Sequence, residues 1–311
     1  YKKKIQTKRK EKKMEKIDGK VKIAVSTRAL FNLEKENEIF EKEGAAAYEE
    51  WQTKHEKDVL ATGPAFPLIK ALSAMTDEVE IFVVSKATAN ISLRIFNSTK
   101  HYGLKNITRG FFTGGESLVP YLKAFDVDLY LTMSPESAKQ AVDAGIPAAA
   151  LISGHNYDAE TDCVRVAFDA DAVLFSDEAE AVFQEGGLEA FNKSEERMAN
   201  KELSSGPMAK FLKALAKLQK SNGEMVRTAI VTARSAPAHE RVIKTLMKWG
   251  IRVNEIFYLG GLDKAPVLEN FKPLIFFDDK HYYTMSASRF VPAGTVPYVA
   301  GSKLEAMKEV K

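Results

Sequence analysis

A single cysteine in 311 residues, Cys163, leaves no internal disulfide to be formed and suits a reducing compartment. It lies just before an apolar strand and reads as a small buried hydrophobe rather than a nucleophile. No apolar run approaches the roughly 18 residues that span a bilayer, and no secretory pattern opens the chain. A cytoplasmic protein that does not enter a membrane is expected. There is no Gly-x-x-x-x-Gly-Lys-Ser/Thr loop, which disfavours ATP-driven phosphoryl transfer. The histidines, His55, His101, His155, His239 and His281, show no metal-ligand spacing. Tryptophan is scarce too, and Trp51 and Trp249 read with the phenylalanines as core. The chain opens on Tyr1 rather than Met, as a fragment would.

What is present is ordinary for a globular protein: 45% hydrophobic and 28% charged residues, enough for one large or two ordinary domains. The net charge of +3 hides an asymmetry. Residues 1–20 carry nine Lys and one Arg against three acids, a net of +7, so the remainder is near −4. Such a leader is too polar to bury a core and is expected to be disordered or a frayed helix.

The rest of the chain is organised around Val164-Arg165-Val166-Ala167-Phe168-Asp169-Ala170-Asp171-Ala172-Val173-Leu174-Phe175. A short apolar run reads as a buried strand, and this one ends in two carboxylates one residue apart. Two such charges 4 Å apart repel by roughly 4 kcal/mol at an effective dielectric near 20, so a cation should neutralise them. A hard divalent ion with oxygen ligands does so most economically.

Strand and helix alternate along the chain, which predicts a parallel sheet covered on both faces. The pattern is written twice. Gly63-Pro64-Ala65-Phe66-Pro67-Leu68-Ile69-Lys70-Ala71-Leu72 matches Gly206-Pro207-Met208-Ala209-Lys210-Phe211-Leu212-Lys213-Ala214-Leu215 at five of ten positions. Residues 111–133 lie over 257–279 without a gap, sharing Phe111/Phe257, Gly114/Gly260, Gly115/Gly261, Pro120/Pro266, Leu122/Leu268 and Phe125/Phe271. The expected fold is therefore α/β, with two tandem Rossmann-like, doubly wound parallel-sheet units. The expected boundaries are a leader at 1–20, a first unit at 21–155, a second at 156–302 and a polar tail at 303–311. Where the second copy has Asp169, Asp171, Thr232, Lys264, Asp278 and Asp279, the first has Ser26, Arg28, Ser85, Leu118, Thr132 and Met133. The second copy looks chemically equipped and the first silent.

In an open parallel sheet, groups at the carboxyl ends of strands converge on one crevice. Asp169 and Asp171 end one strand, Thr232 ends Thr228-Ala229-Ile230-Val231, and Asp278-Asp279 end Leu274-Ile275-Phe276-Phe277, while Lys264 begins a helix. Several carboxylates, one hydroxyl and one ammonium around a point suit Mg²⁺ plus a phosphate. In this order the residues resemble the four motifs of the haloacid-dehalogenase-like phosphatases. More closely, the stretch 167–178, Val231-Thr232-Ala233-Arg234-Ser235-Ala236 and Ile275-Phe276-Phe277-Asp278-Asp279 resemble the type I cytosolic 5′-nucleotidases. In the first half so do Val25-Ser26-Thr27-Arg28-Ala29-Leu30-Phe31, Gly63-Pro64-Ala65-Phe66-Pro67 and Thr113-Gly114-Gly115.

That resemblance implies two haloacid-dehalogenase-like units and Mg²⁺-dependent hydrolysis of nucleoside 5′-monophosphates such as AMP. Asp169 would attack phosphorus and form an aspartyl-phosphate. Asp171, its pKa raised by acidic neighbours, would protonate the leaving oxygen and then activate water. Thr232 and Lys264 would hold the phosphoryl oxygens and offset their charge. Mg²⁺ would sit on Asp169, the Asp171 backbone carbonyl and one of Asp278 and Asp279, with Asp278 favoured. Ala233, Arg234 and, from the first copy, Arg28 are candidates for binding substrate, the first copy closing the site through Thr27, Arg28, Lys86, Asn90 and Thr113-Gly114-Gly115. Alternatively the first copy's crevice holds a nucleotide effector such as ADP, or only packs and dimerises; a homo-oligomer is expected. Asp177 and Glu178 read as caps of the following helix. The rivals are a phosphatase for another small phosphate ester and, with less support, a non-catalytic nucleic-acid-binding protein using the basic leader.

Overall fold

The computed structural model describes residues 19–154 and 163–309; the leader up to residue 18 and the expected unit boundary at 155/156 lie outside the described residues. The described residues form ten strands, most of them rich in β-branched and aromatic residues but β5 and β10 built of small ones: β1 Val21–Ser26, β2 Val79–Ser85, β3 Arg109–Phe112, β4 Leu129–Thr132, β5 Ala148–Leu151, β6 Val164–Phe168, β7 Val226–Thr232, β8 Glu255–Tyr258, β9 Ile275–Asp278 and β10 Ala293–Thr295. They make one continuous sheet in the order β3-β2-β1-β4-β5-β10-β9-β6-β7-β8. Read outward from the centre, the halves follow the same sequence of strands, and within each half all pairings are parallel. The two halves of the chain share this sheet, joined where β5 and β10 run antiparallel through Leu151↔Gly294 and Ala150↔Thr295. That pairing reverses strand direction. The carboxyl ends of β1, β2 and β4 therefore lie on one edge of the sheet, and those of β6, β7 and β9 on the opposite edge.

Strand side chains alternate between two faces. On one face a single apolar core runs through both halves, taking Ile23 and Val25 from β1 and Val166 and Phe168 from β6. On the other, Ala24, Phe82 and Tyr130 form one cluster and Ala167, Ala229 and Phe276 another.

Each half leaves its first strand, makes a helical excursion and returns through a short antiparallel bridge, Phe31 to Thr62 in the first half and Phe175 to Ser205 in the second. The glycine after each bridge is demanded by close approach. A Cβ at Gly63 would fall 2.6 Å from the Ala29 carbonyl oxygen, and one at Gly206 would strike the backbone of Val173 and Phe175. The first excursion is a pair of helices, Glu34–Glu43 and Ala45–Lys54, broken at Gly44 with φ +87°. The second is the helix Glu178–Arg197. Asp177 does not cap that helix as the sequence suggests. Its Oδ2 accepts instead from the Leu304 backbone N–H at 2.7 Å, at the start of the helix Lys303–Glu309. Cys163 is half-buried, and its thiol donates to the Glu224 carbonyl at 3.2 Å.

Candidate active site

β6 is the inner strand of the second half, paired with β9 on one side and β7 on the other, so the ends of all three meet. The Asp169 backbone N–H donates to the Phe277 carbonyl of β9 at 2.7 Å, which fixes its side chain beside those that follow β9. The chain then turns sharply through Ala170–Leu174, a fully buried turn in which Ala172 sits at φ +58°. An alanine in the left-handed region costs about 1 kcal/mol or more, a strain the packing around it sustains. At the matching place in the first half, Thr27–Leu30 is an unstrained helical turn.

Around this turn the carboxylates of Asp169, Asp278 and Asp279 converge, with one oxygen of each within 4.8 Å of the others. All three are buried. Lys264, the cap residue of the helix Ala265–Phe271, reaches in from the side, 2.6 Å from Asp278 Oδ2 and 2.9 Å from Asp169 Oδ1. Asp169 Oδ1 accepts no aligned hydrogen bond despite that ion pair. The ammonium also faces the Tyr283 ring at 4.7 Å. Asp278 accepts at its other oxygen from the Lys280 backbone N–H at 2.8 Å, and Asp279 accepts from the Tyr298 hydroxyl at 2.8 Å. Asp169 and Asp278 thus share Lys264, while the Lys280 ammonium, paired with Glu180 at 2.8 Å, acts on Asp279 only through space. Burial pushes Asp169 up to about 7; Lys264 opposes the rise, and Asp278 and Asp171 add to it. Burial, Asp278 and Asp169 raise Asp279 as well. Burial works against the charged form of Lys264, but Asp169 and Asp278 outweigh it and hold its pKa above the ordinary lysine range. Excess buried negative charge and an unaligned carboxylate oxygen are what a divalent cation with oxygen ligands would relieve.

Thr232, at the end of β7, is buried and accepts from the Arg234 backbone N–H at 3.2 Å, shaping the loop on which Ala233 stands exposed. The family model described as 5′-nucleotidase matches residues 13–303, a span that contains every one of these groups. The chain belongs to the 5′-nucleotidase family. Human cytosolic 5′-nucleotidase 1B is 39% identical over 287 residues, covering 86% of this chain and 47% of the human protein. The chain spans about half the length of that relative. Among solved structures, the HAD domain of effector protein Lem4 from Legionella pneumophila aligns with 48% of this chain and 93% of its own, at 13% identity and a TM-score of 0.28, too low to carry an argument.

Two placements in this 5′-nucleotidase family member differ from expectation. Arg28 is not at this site. It ends up on the opposite edge of the sheet, because β5 and β10 reverse strand direction, and it pairs with Glu34 at 3.2 Å. The same reversal removes the other first-half strand ends from the acidic cluster. Asp171, for its part, is held by a guanidinium rather than by acidic neighbours. Arg234 Nε and Nη2 each donate to one of its oxygens at 2.7 Å. Arg234 is itself buried and fixed by Glu195 and the Ala238 carbonyl, and Glu195 also accepts from Arg241 Nη1 at 2.7 Å. Asp171 contributes no carboxylate oxygen to the triad of Asp169, Asp278 and Asp279. Glu195, Arg241, Tyr298 and Tyr283 were not legible as site residues. None of the four lies in one of the ordered motifs, so the sequence carries no signal for them.

The acidic triad gives the family member a defined pH response. A carboxylate ionises near 3.9 in an unfolded chain, whereas Asp169 is held at about 7 here. The folded state binds that proton more tightly, so this group's contribution is complete below about pH 4 and is lost as pH rises through 7. In the metal-free protein, thermal melts should show stability falling across that window. Added Mg²⁺ should raise the melting temperature more at pH 8 than at pH 5; an equal effect at both would dissociate the ion from Asp169.

Proposed function

We propose that the chain is a Mg²⁺-dependent phosphomonoesterase that hydrolyses nucleoside 5′-monophosphates of the AMP type to nucleoside and phosphate. The observation that carries this is the buried triad of Asp169, Asp278 and Asp279 set against Lys264, at the strand ends of a 5′-nucleotidase family member. Asp169 and the two later acids, with the Asp171 backbone carbonyl, would hold the ion. The ion supplies Lewis-acid polarisation of the phosphoryl oxygens.

In the first step an Asp169 oxygen forms a bond to phosphorus as the bond to the ribose 5′ oxygen breaks, leaving an aspartyl-phosphate. Asp171 gives the departing oxygen a proton and later takes one from the water that hydrolyses the intermediate. To do so its carboxyl must exchange the Arg234 fork for substrate, which makes Arg234 a holder of the acid rather than the substrate contact the sequence offers. Thr232 donates its hydroxyl, and Ala233 its backbone N–H, to the phosphoryl oxygens, and Lys264 offsets their growing charge. Water is kept from Lys264 and Asp278 by their near-complete burial.

The second half is, on this account, the catalytic haloacid-dehalogenase-like unit and the first a tandem copy without the acids, both from one duplicated ancestor. The narrow range of sequence offsets, 143 from Gly63 to Gly206 and 146 from Gly114 to Gly260, and the matching strand order support that origin. By resemblance the protein is cytosolic and a homo-oligomer. Among the described residues no helix is long and apolar enough to cross a membrane.

Phosphate release from AMP with and without Mg²⁺ tests the function, alongside a generic aryl phosphate and a ribose 5-phosphate. Magnesium-dependent release from AMP is expected, with a clear loss of efficiency when the base is removed. Hydrolysis of the aryl ester but not AMP would leave the chemistry standing and overturn the substrate class.

A further inference from the structure

Glu195 and Arg241 are each only 2% exposed, and no step of the proposed reaction uses either. Buried charges are costly unless paired. These two belong to an alternating row of four, Asp171, Arg234, Glu195 and Arg241, in which each group touches the next. We propose, resting on the phosphomonoesterase reading above, that Glu195 is a positioning residue. By sharing Arg234 with Asp171, it sets how readily Asp171 turns to the leaving oxygen.

Four separate segments supply the row. Asp171 stands in the buried turn after β6, and Arg234 in the loop after β7. Glu195 lies in the last turn of the helix Glu178–Arg197, beyond the break at Gly187 with φ +69°, and Arg241 in the first turn of the helix His239–Lys248. Arg241 is anchored by the backbone: its Nε donates to the Lys201 carbonyl at 2.8 Å, which leaves Nη1 for Glu195 Oε1. The other oxygen of Glu195 accepts from Arg234 Nη1. The Arg234 guanidinium also lies 5.2 Å from the ring of Phe191, one turn earlier on the same helix. What remains of it, Nε and Nη2, forms the fork on Asp171.

One guanidinium thus divides its charge between two carboxylates. Away from water a bidentate pair of opposite charges is strong, and Arg234 bound to Asp171 alone would hold it too firmly to be exchanged. Glu195 takes part of that attraction and keeps the guanidinium in place when Asp171 leaves it.

The first half shows which part of the row serves the fold alone. Arg94 stands 147 positions before Arg241, the offset that sets Ser85 against Thr232. It too donates to a buried glutamate of the helical excursion, Glu36 Oε1, at 2.7 Å. An arginine after the second strand of each half therefore pins the excursion. At the same offset Ala87 stands for Arg234, while Arg28 stands for Asp171. The pin occurs in both halves, and its extension to a strand-end carboxylate only in the half that holds the acids. Holding the excursion requires neither Arg234 nor Asp171.

Single-turnover cleavage of AMP and of 4-nitrophenyl phosphate by the full chain with Mg²⁺ separates positioning from mere support. The ribose 5′ oxygen leaves poorly without a proton, whereas 4-nitrophenolate leaves as the anion, so only AMP depends on Asp171 in the cleavage step. Glu195→Gln keeps the shape of the side chain. It should slow AMP cleavage about 10²-fold at a half-saturating concentration within about twofold of wild type, while release of 4-nitrophenolate stays within about threefold. Glu195→Met combined with Arg241→Met removes the ion pair whole, leaves no lone charge buried, and should show the same split; it decides the question if the single variant does not fold. Equal losses on both esters, or an unchanged AMP rate in either folded variant, would overturn the proposal and reduce Glu195 to a pin. If the wild type cleaves neither ester, the activity reading fails and takes this proposal with it.

Discussion

Asp169→Asn is expected to abolish magnesium-dependent phosphate release from AMP, by about 10⁴-fold or more, while leaving a folded protein. The amide keeps the shape of the side chain but has no attacking charge, and losses of that order accompany removal of a nucleophile for which no neighbour substitutes. Asp278 and Asp279 cannot take over, because Lys264 and Lys280 hold the two oxygens of Asp278 and Tyr298 holds Asp279. The same change should make the metal-free protein more stable at pH 8, since burial holds Asp169 against ionisation and the amide carries no such cost. Single-turnover phosphate release and thermal melts on one preparation read both effects. A variant that still turns over AMP at more than about one per cent of the wild-type rate would rule out Asp169 as the nucleophile, given the losses such removals cause.

Lys264→Met should have the largest effect on stability. It removes the one ammonium that touches both Asp169 and Asp278, and breaking a buried ion pair from one side costs about 3–5 kcal/mol. At roughly 2–4 °C per kcal/mol for a chain of this size, the metal-free melting temperature should drop by about 6–20 °C. Mg²⁺ should recover much of that loss, because a divalent ion supplies the missing positive charge to the triad. Activity should stay low by about 10²–10³-fold even then, because the charge that offsets the transferring phosphoryl group is gone. An unchanged melting temperature in chelator would show that the triad does not depend on Lys264.

The strands were legible wherever apolar runs were long enough to show a pattern. The apolar run around Val166 and Phe168 announces β6 in the sequence. β10 was missed because Ala293-Gly294-Thr295 is too short and too small to stand out, although it is the strand that joins the halves. Without it the antiparallel junction could not be foreseen, and Arg28 was assigned to the wrong edge. At the site, the ordered motifs bring Asp169, Lys264 and Asp278-Asp279 together, and Thr232 ends the neighbouring strand β7. The partner of Asp171 was not readable. Arg234 follows Thr232 closely, where a basic side chain reads as a phosphate contact, and its anchor Glu195 sits in an otherwise polar helix whose burial only the packing reveals.

The antiparallel meeting of β5 and β10 also isolates the two ends of the sheet from each other. Had the two halves been joined in parallel, their strand-end crevices would have opened on the same side. With polarity reversed at a seam of two residue pairs, the crevices face away from each other. A ligand drawn to the acids Asp169, Asp278 and Asp279 therefore approaches from one side, and anything that meets Ser26, Ser85 and Thr132 arrives from the other.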